Sequence, residues 1–494
     1  MSIKLNDKYQ LFINGQWKDA SDKSTLKVYN PATGEYLTEI ANATNDDVDE
    51  AVAAAREAFK TWGQTTVTER AAILNKIADV IDENQELLAT IESIDNGKPI
   101  RETSFADIPL SADHFRYFAG VIRSDEGSST FVDENTLNLI VREPLGVVGQ
   151  IVPWNFPFLM AAWKLAPLLA AGDVSVFKPS SATSLSVLTL LKLIEDIVPK
   201  GVINIITGAG SKSGEYLQHH DGIDKLAFTG STEIGKEVGI SAAKSLIPST
   251  LELGGKSANI FFSDANMDIA LEGLQLGILF NQGQVCSAGS RIFVQEDFYD
   301  EFVEKAVAAF EKVKVGNPLD SNTQMGAQVS EQQLNKILDY IEIGKKEGAK
   351  VATGGERNTE GDNAKGVFMK PTLLVDVNNK MRVAREEIFG PVGVVIKFKT
   401  VEEVIELAND SDYGLGGGVF TQDINKAIKV AKGIRTGRVW INTYNVFPAG
   451  APFGGYKESG IGRETHKVIL DHYTQMKNII INTAENPGGF YVKK

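Results

Sequence analysis

The stretch that decides the fold runs from residue 145 to residue 256. It opens LGVVGQIVPWNFP (145–157) and then alternates helical patterns with four more apolar runs: DVSVFKPSS (173–181), VINIITGAG (202–210), DKLAFTGSTEIG (224–235) and TLELGGK (250–256). Such alternation predicts βαβ units and a parallel, doubly wound sheet, an α/β fold. Ligands of such sheets sit beyond the carboxyl ends of the strands. The turns leaving those ends are where chemistry is expected.

GSTEIG (230–235) opens a helix where a strand ends. Gly230, Ser231 and Gly235 therefore frame free N–H groups and the positive end of a helix dipole, a seat for a pyrophosphate. A Gly-Ser cap is nevertheless common without any ligand, and no GxGxxG follows the first strand. Lys178 ends its strand within reach of a ribose or phosphate, or simply as a solvated lysine. Asn155, between Trp154 and Phe156, offers an amide to an oxyanion or to a turn. Glu252, in apolar surroundings, has the character of a general base with a raised pKa; the alternative is a structural pair with Lys256. Glu387, in EEIFGPV (386–392), suits a ribose hydroxyl or an exposed position before a turn.

Working outward, LFINGQW (11–17) turns at Asn14-Gly15 as a hairpin. Two helices follow behind capping boxes, Thr44 with Asp47 and Thr66 with Glu69. A third is expected over 105–118. A second α/β region is predicted from about 257 to 455, with helices near 299–313 and 332–347 and strands at 392–398 and 437–442. Two segments fit neither region, 128–141 and the tail after 475. Both suit strands that project to pair with a neighbouring subunit, or an edge hairpin of the same chain.

With 64 acidic and 50 basic residues the chain carries a net charge of −14, which argues against a nucleic-acid partner. The most apolar window, 156–172, contains Lys164 and Pro167 and is too short to span a bilayer. The N-terminal segment lacks the basic region and apolar core of a signal peptide. A cytoplasmic protein without a membrane partner is the expectation.

Cys286 is the only cysteine among 494 residues. It sits in NQGQVCSAGS (281–290), makes no intrachain disulfide, and has no second thiolate with which to hold a metal, so no metal is expected. Gly283, Ser287, Ala288 and Gly289 would let backbone N–H groups approach a reacting centre. On its own the segment also reads as a small buried hydrophobe, the state of most free cysteines.

Together these motifs resemble the NAD(P)-dependent aldehyde dehydrogenase family. The matching stretches are PWNFP with Asn155, FKPS with Lys178, FTGSTEIG (228–235), LELGGK with Glu252, NQGQVCSAGSR with Cys286, EEIFGPV with Glu387 and Phe389, and PFGGYKESGIGRE (452–464). They follow the family's order over nearly the whole chain. DIPLSADHFRYFAG (107–120), GNPLDSNTQMGAQVS (316–330) and GIGRETHK (460–467) look most like the bacterial acetaldehyde dehydrogenase branch.

The resemblance implies that Cys286 attacks the aldehyde to give a thiohemiacetal, its oxyanion held by the Asn155 amide and the Cys286 N–H. Hydride then leaves to the nicotinamide, and Glu252 activates the water that hydrolyses the thioester. It also implies NAD or NADP as cofactor. Trp154, Lys178, Ser181, Gly230, Ser231 and Gly235 would surround the adenosine and pyrophosphate, Glu387 would bond the nicotinamide ribose, and Phe389 would lie near it. Strongly NAD-selective relatives carry a glutamate where this chain has Ser181, so both cofactors are expected. Glu464 matches a proton-relay position, and Phe156, Trp163, Phe280, Phe447 and Phe453 match the substrate tunnel.

By the same resemblance the fold comprises a Rossmann-type parallel-sheet cofactor domain (1–127 and 142–256, with a return at 456–475) and an α/β catalytic domain (257–455). A small β oligomerisation element (128–141 and 476–494) completes it. A homotetramer built as a dimer of dimers is expected, with a dimer as the alternative. The expected substrate is a small aliphatic aldehyde such as acetaldehyde. The nearest rival is a CoA-acylating aldehyde dehydrogenase, but that branch lacks the glutamate of LELGGK. A non-catalytic cofactor-binding protein is the other rival, and Cys286, Glu252 and Asn155 together argue against it.

Overall fold

The computed structural model describes residues 5–492; residues 1–4 and 493–494, at the ends of the first and last expected segments, lie outside the described residues. The five apolar runs form the parallel centre of an eight-stranded sheet. Its core order is Ser249–Glu252, Lys225–Thr229, Val147–Ile151, Val174–Lys178 and Ile203–Ile205. Chain order therefore reverses between Val147–Ile151 and Lys225–Thr229. That switch opens a crevice between the turn at Trp154-Asn155 and the turn at Gly230-Ser231, the position at which such sheets take ligands. The N-terminal hairpin closes one edge: Leu11–Ile13 and Gln16–Lys18 are joined through Asn14 (φ 52°) and Gly15 (φ 73°). Gly460–Ile461 closes the other, antiparallel to Ser249–Glu252.

Helix Pro157–Ala171 is buried along its whole length. It packs against Ile108–Val121 and Val67–Glu83, which explains why its sequence shows no polar face. Both capping boxes form, Thr44 with Asp47 and Thr66 with Glu69. The helix expected over much of 105–118 is present. It runs Ile108–Val121 behind a π-helical turn Thr103–Asp107, and Gln85–Asn96 is a further helix that the sequence pattern did not signal. Its N-terminal Asn84 makes no side-chain cap, so no cap signature marks that start.

A second sheet of seven strands follows the order Lys350–Thr353, Thr372–Val375, Val392–Phe398, Arg291–Gln295, Ala258–Phe261, Gly416–Phe420, Arg438–Ile441. It is parallel apart from its first strand. Helices Tyr299–Glu311 and Glu331–Glu347 accompany it.

Ser128–Asp133, Thr136–Pro144 and Thr474–Asn482 make a separate antiparallel sheet, with the C-terminal strand paired along the whole of Thr136–Pro144. Phe131 and Met476 on this sheet are 75% and 73% exposed. Among the described residues no helix is long and apolar enough to cross a membrane, and no cluster of His, Cys, Asp and Glu has the makings of a metal site.

Candidate active site

One cavity of about 720 Å³ collects most of the residues singled out in the sequence. The first sheet supplies the carboxyl ends of its strands: Trp154 and Asn155, Lys178 with Ser181, Gly230 with Ser231, and Glu252. The second supplies segments that precede its strands, Cys286 before Arg291–Gln295, and Glu387 with Phe389 before Val392–Phe398. The thiol and the expected cofactor groups thus meet across the gap between the two sheets.

Cys286 is half-buried and stands after a turn with an unusual backbone. Asn281 (φ 47°), Gln282 (φ 55°) and Gly283 (φ 73°) are all left-handed. At 283 glycine is required twice over, by its φ and because a Cβ there would lie 2.2 Å from the Gly390 backbone. Gly255 comes equally close from the other side: a Cβ on it would lie 2.4 Å from the Cys286 carbonyl oxygen.

Burial pushes the thiol pKa up, the carboxylates of Glu387 and Glu252 push it the same way, and the N–H groups of Ser287 and Cys286 oppose them. Asn155 Nδ2 donates to the Gln284 carbonyl at 2.7 Å, and Asn281 Nδ2 donates to the Asn155 carbonyl at 2.6 Å. The first bond orients the Asn155 side-chain amide and the second anchors its backbone; the other N–H of the amide has no partner among the described residues, as an oxyanion donor requires.

Glu252 is buried, and among the described residues neither of its carboxylate oxygens has a hydrogen-bond partner. Burial, and after it the Glu464 carboxylate, hold its pKa well above the ordinary range; Lys164 and Arg463 pull it down. The alternative pairing with Lys256 is not formed. Lys256 Nζ is itself buried without a partner, and its pKa falls to about 7, chiefly through burial. Glu464 instead holds Lys164, at 2.6 Å. Glu387 is not a free surface acid either, since its Oε1 accepts from the Gly255 N–H at 2.9 Å.

On the other side of the cavity Lys178 is buried, and among the described residues its ammonium makes one hydrogen bond, a long one of 3.3 Å to the Pro179 carbonyl. Burial alone lowers its pKa to about 8. Thr229 Oγ1, in the same lining, is buried without a partner. Ser231 caps helix Thr232–Ser245, accepting from the Ile234 N–H. An under-bonded ammonium, an orphaned hydroxyl and a helix N-terminus fit the hydroxyls and phosphates of a dinucleotide. Trp154 and Phe389 meet edge to face, with centroids 5.2 Å apart.

Gly235 does not join them. It lies inside the helix, buried against Leu253, where a Cβ would come within 2.1 Å of that side chain. Its small size serves the packing of the helix against Leu253, which itself lines the cavity.

The aromatic residues Phe156, Trp163, Phe280, Phe447 and Phe453 line the same cavity. Trp163 and Phe453 are 5.2 Å apart, and Phe156 and Phe280 stack at 6.0 Å. Asp107, Leu110 and Met160 share this wall, and Gln333 reaches over from helix Glu331–Glu347 to donate to the Phe389 carbonyl at 2.7 Å. Asp107 and Leu110 fall inside the DIPLSADHFRYFAG motif, which could have pointed to them. Gln333 has no local signal, because its role arises only when two distant segments meet.

An α/β chain that gathers a thiol, a side-chain amide and an unpaired carboxyl beside a dinucleotide-shaped lining has the make-up of a cysteine-dependent dehydrogenase. The profile of the aldehyde dehydrogenase family matches residues 17–479, and the chain belongs to that family. It is 53% identical over 496 residues to aldehyde dehydrogenase B of Escherichia coli (strain K12), covering 99% of this chain and 96% of that protein. The NAD+ complex of an aldehyde dehydrogenase from Bacillus cereus superposes with a TM-score of 0.95 at 45% identity, covering 97% of this chain and 98% of that one. Betaine aldehyde dehydrogenase from Staphylococcus aureus, also solved with NAD+, gives 0.96 at 42% identity, with 98% and 97% covered.

Proposed function

We propose that the protein oxidises a small, uncharged aliphatic aldehyde such as acetaldehyde to its carboxylic acid with NAD or NADP, through a covalent intermediate on Cys286. The observation that carries this reading is the convergence of Cys286, Asn155 and Glu252 on one cavity with Lys178, Ser231 and Glu387. Lys178, Ser181, Gly230 and Ser231 would hold the adenosine and pyrophosphate, and Glu387 a ribose hydroxyl. When bound, the nicotinamide supplies the hydride acceptor.

The Cys286 thiol gives its proton to solvent water, its sulfur adds to the aldehyde carbon, and the free Asn155 N–H and the Cys286 N–H hold the resulting oxyanion. After loss of hydride the acyl group remains as a thioester. Glu252 takes a proton from the water that attacks this thioester, and its raised pKa makes it basic enough for that task once ionised. Cys286 is then released as the thiol.

The tunnel supports an uncharged substrate. Arg438 lies against Phe447 and Phe453, 5.8 and 5.6 Å from their centroids. A cationic aldehyde would meet like charge across rings that already serve a cation. A panel of acetaldehyde, propanal, benzaldehyde and betaine aldehyde, compared by kcat/KM with each cofactor, tests the reading. Betaine aldehyde as the best substrate would overturn the choice of substrate class.

We also propose that the sheet of Ser128–Asp133, Thr136–Pro144 and Thr474–Asn482 is the oligomerisation element of a homotetramer. The apolar side chains it exposes support that role.

A further inference from the structure

We propose that Glu102 is a positioning residue for the reaction: its carboxyl group holds the left-handed turn that delivers Cys286 into the cavity. The inference rests on the reading of Cys286 as the nucleophile, and it concerns what keeps that thiol in place.

Asn281 and Gln282 occupy the left-handed region although both carry side chains, which disfavour it. Backbone of this kind persists only where its surroundings over-determine it. Two distant segments do so here. From one, Glu102 Oε2 accepts from the Asn281 N–H at 2.9 Å. From the other, the Gly326 N–H donates to Gln282 Oε1 at 3.2 Å, Gln282 Nε2 donates to the Ala327 carbonyl at 3.1 Å, and the Val329 N–H donates to Gln284 Oε1 at 3.0 Å.

The two clamps are also tied to each other. The Ala327 N–H donates to the Gly97 carbonyl at 3.0 Å, and the Ile100 N–H to the Pro318 carbonyl at 2.7 Å. A Cβ on Gly326 would sit 1.9 Å from the Gly97 carbonyl oxygen, so the backbones touch. Segments 97–102, 318–329 and 281–284 form a closed ring of contacts immediately before Cys286. Within that ring Glu102 is the buried acidic side chain, 5% exposed, and its other oxygen has no partner among the described residues. Burial raises its pKa, to about 8, and the acceptor role asks only for its carboxyl oxygen. A glutamine would supply the same acceptor in the same space.

The test uses Glu102→Gln, which keeps the acceptor, and Glu102→Asp and Glu102→Met, which withdraw it by shortening the side chain or by removing its oxygens. Each is assayed for kcat, for cofactor KM, and for the rate at which iodoacetamide alkylates Cys286, the only thiol in the chain. Glu102→Asp and Glu102→Met are expected to lower kcat at least about tenfold and to slow alkylation in step, with cofactor KM within about twofold. Glu102→Gln is expected to stay within about threefold of wild type in both readouts. Should one of the two acceptor-less variants fail to fold, the other carries the same expectation. Wild-type kcat and alkylation rate in a folded Glu102→Asp or Glu102→Met would overturn the proposal, as would a Glu102→Gln as impaired as they are. Cys286→Ala separates the two readings. An active Cys286→Ala sinks the nucleophile, whereas an inactive one beside undisturbed Glu102 variants sinks only the positioning role.

Discussion

Glu252 and Glu464 share one buried patch of negative charge, and only Glu464 has a counter-ion, the Lys164 ammonium at 2.6 Å. Replacing Glu464 by Gln removes a negative neighbour of Glu252 and leaves Lys164 without its anion. Both changes lower the Glu252 pKa. In the proposed mechanism Glu252 must be ionised to activate water, so the rising limb of turnover against pH moves to lower pH in Glu464→Gln. Breaking the buried pair also costs about 3 kcal/mol of stability. A pH–rate profile and a denaturant titration of the same variant check both; an unmoved limb would uncouple the two carboxylates.

The role proposed for Glu252 in the second half-reaction carries a kinetic signature. Glu252→Gln keeps the space and loses the base. Rapid mixing with aldehyde and cofactor is expected to give one burst of reduced cofactor per subunit and then little turnover, the mark of an accumulated acyl-enzyme. Absence of the burst would move Glu252 to the activation of Cys286.

Ser181 is proposed to set the choice of cofactor. A hydroxyl there can donate to a ribose hydroxyl or to a 2′-phosphate, and Lys178 adds positive charge nearby. NADP is expected to be used within about tenfold of NAD in kcat/KM, a gap of ~1.4 kcal/mol. Ser181→Glu should weaken NADP use far more than NAD use, through like-charge repulsion. Equal losses would show that Ser181 does not face the 2′ position.

The exposed strand Thr474–Asn482 offers a test of assembly. Met476 and Ile480 are 73% and 57% exposed on it. Replacing both with Lys places charge on the face proposed to be covered, and sedimentation velocity is expected to show smaller species than wild type. An unchanged assembly would place the interface elsewhere.

Much of this was legible in the sequence because it is local. The parallel strands announced themselves as short apolar runs, and Thr44 and Thr66 announced their helices through capping boxes. Glu252, Lys178 and Asn155 were findable because each lies at or just beyond the carboxyl end of a strand. What escaped depends on distant segments meeting. Gly235 shares a motif with Gly230 and Ser231, yet its position inside the helix turns it toward Leu253. Lys256 stands four residues from Glu252 but takes no part in a pair with it, and Glu464, far along the chain, takes Lys164 instead. The clamp of Glu102 on Asn281 spans 179 residues, a separation at which periodicity carries no information.

The account stands on Cys286 as nucleophile, and the chain's single thiol makes the test direct. Titrating the enzyme with iodoacetamide and measuring label incorporated against activity remaining should give a straight line that reaches zero activity at one label per subunit. Cofactor binding by Cys286→Ala should survive while its dehydrogenase activity does not. Fully labelled enzyme that still oxidised aldehyde would contradict the mechanism.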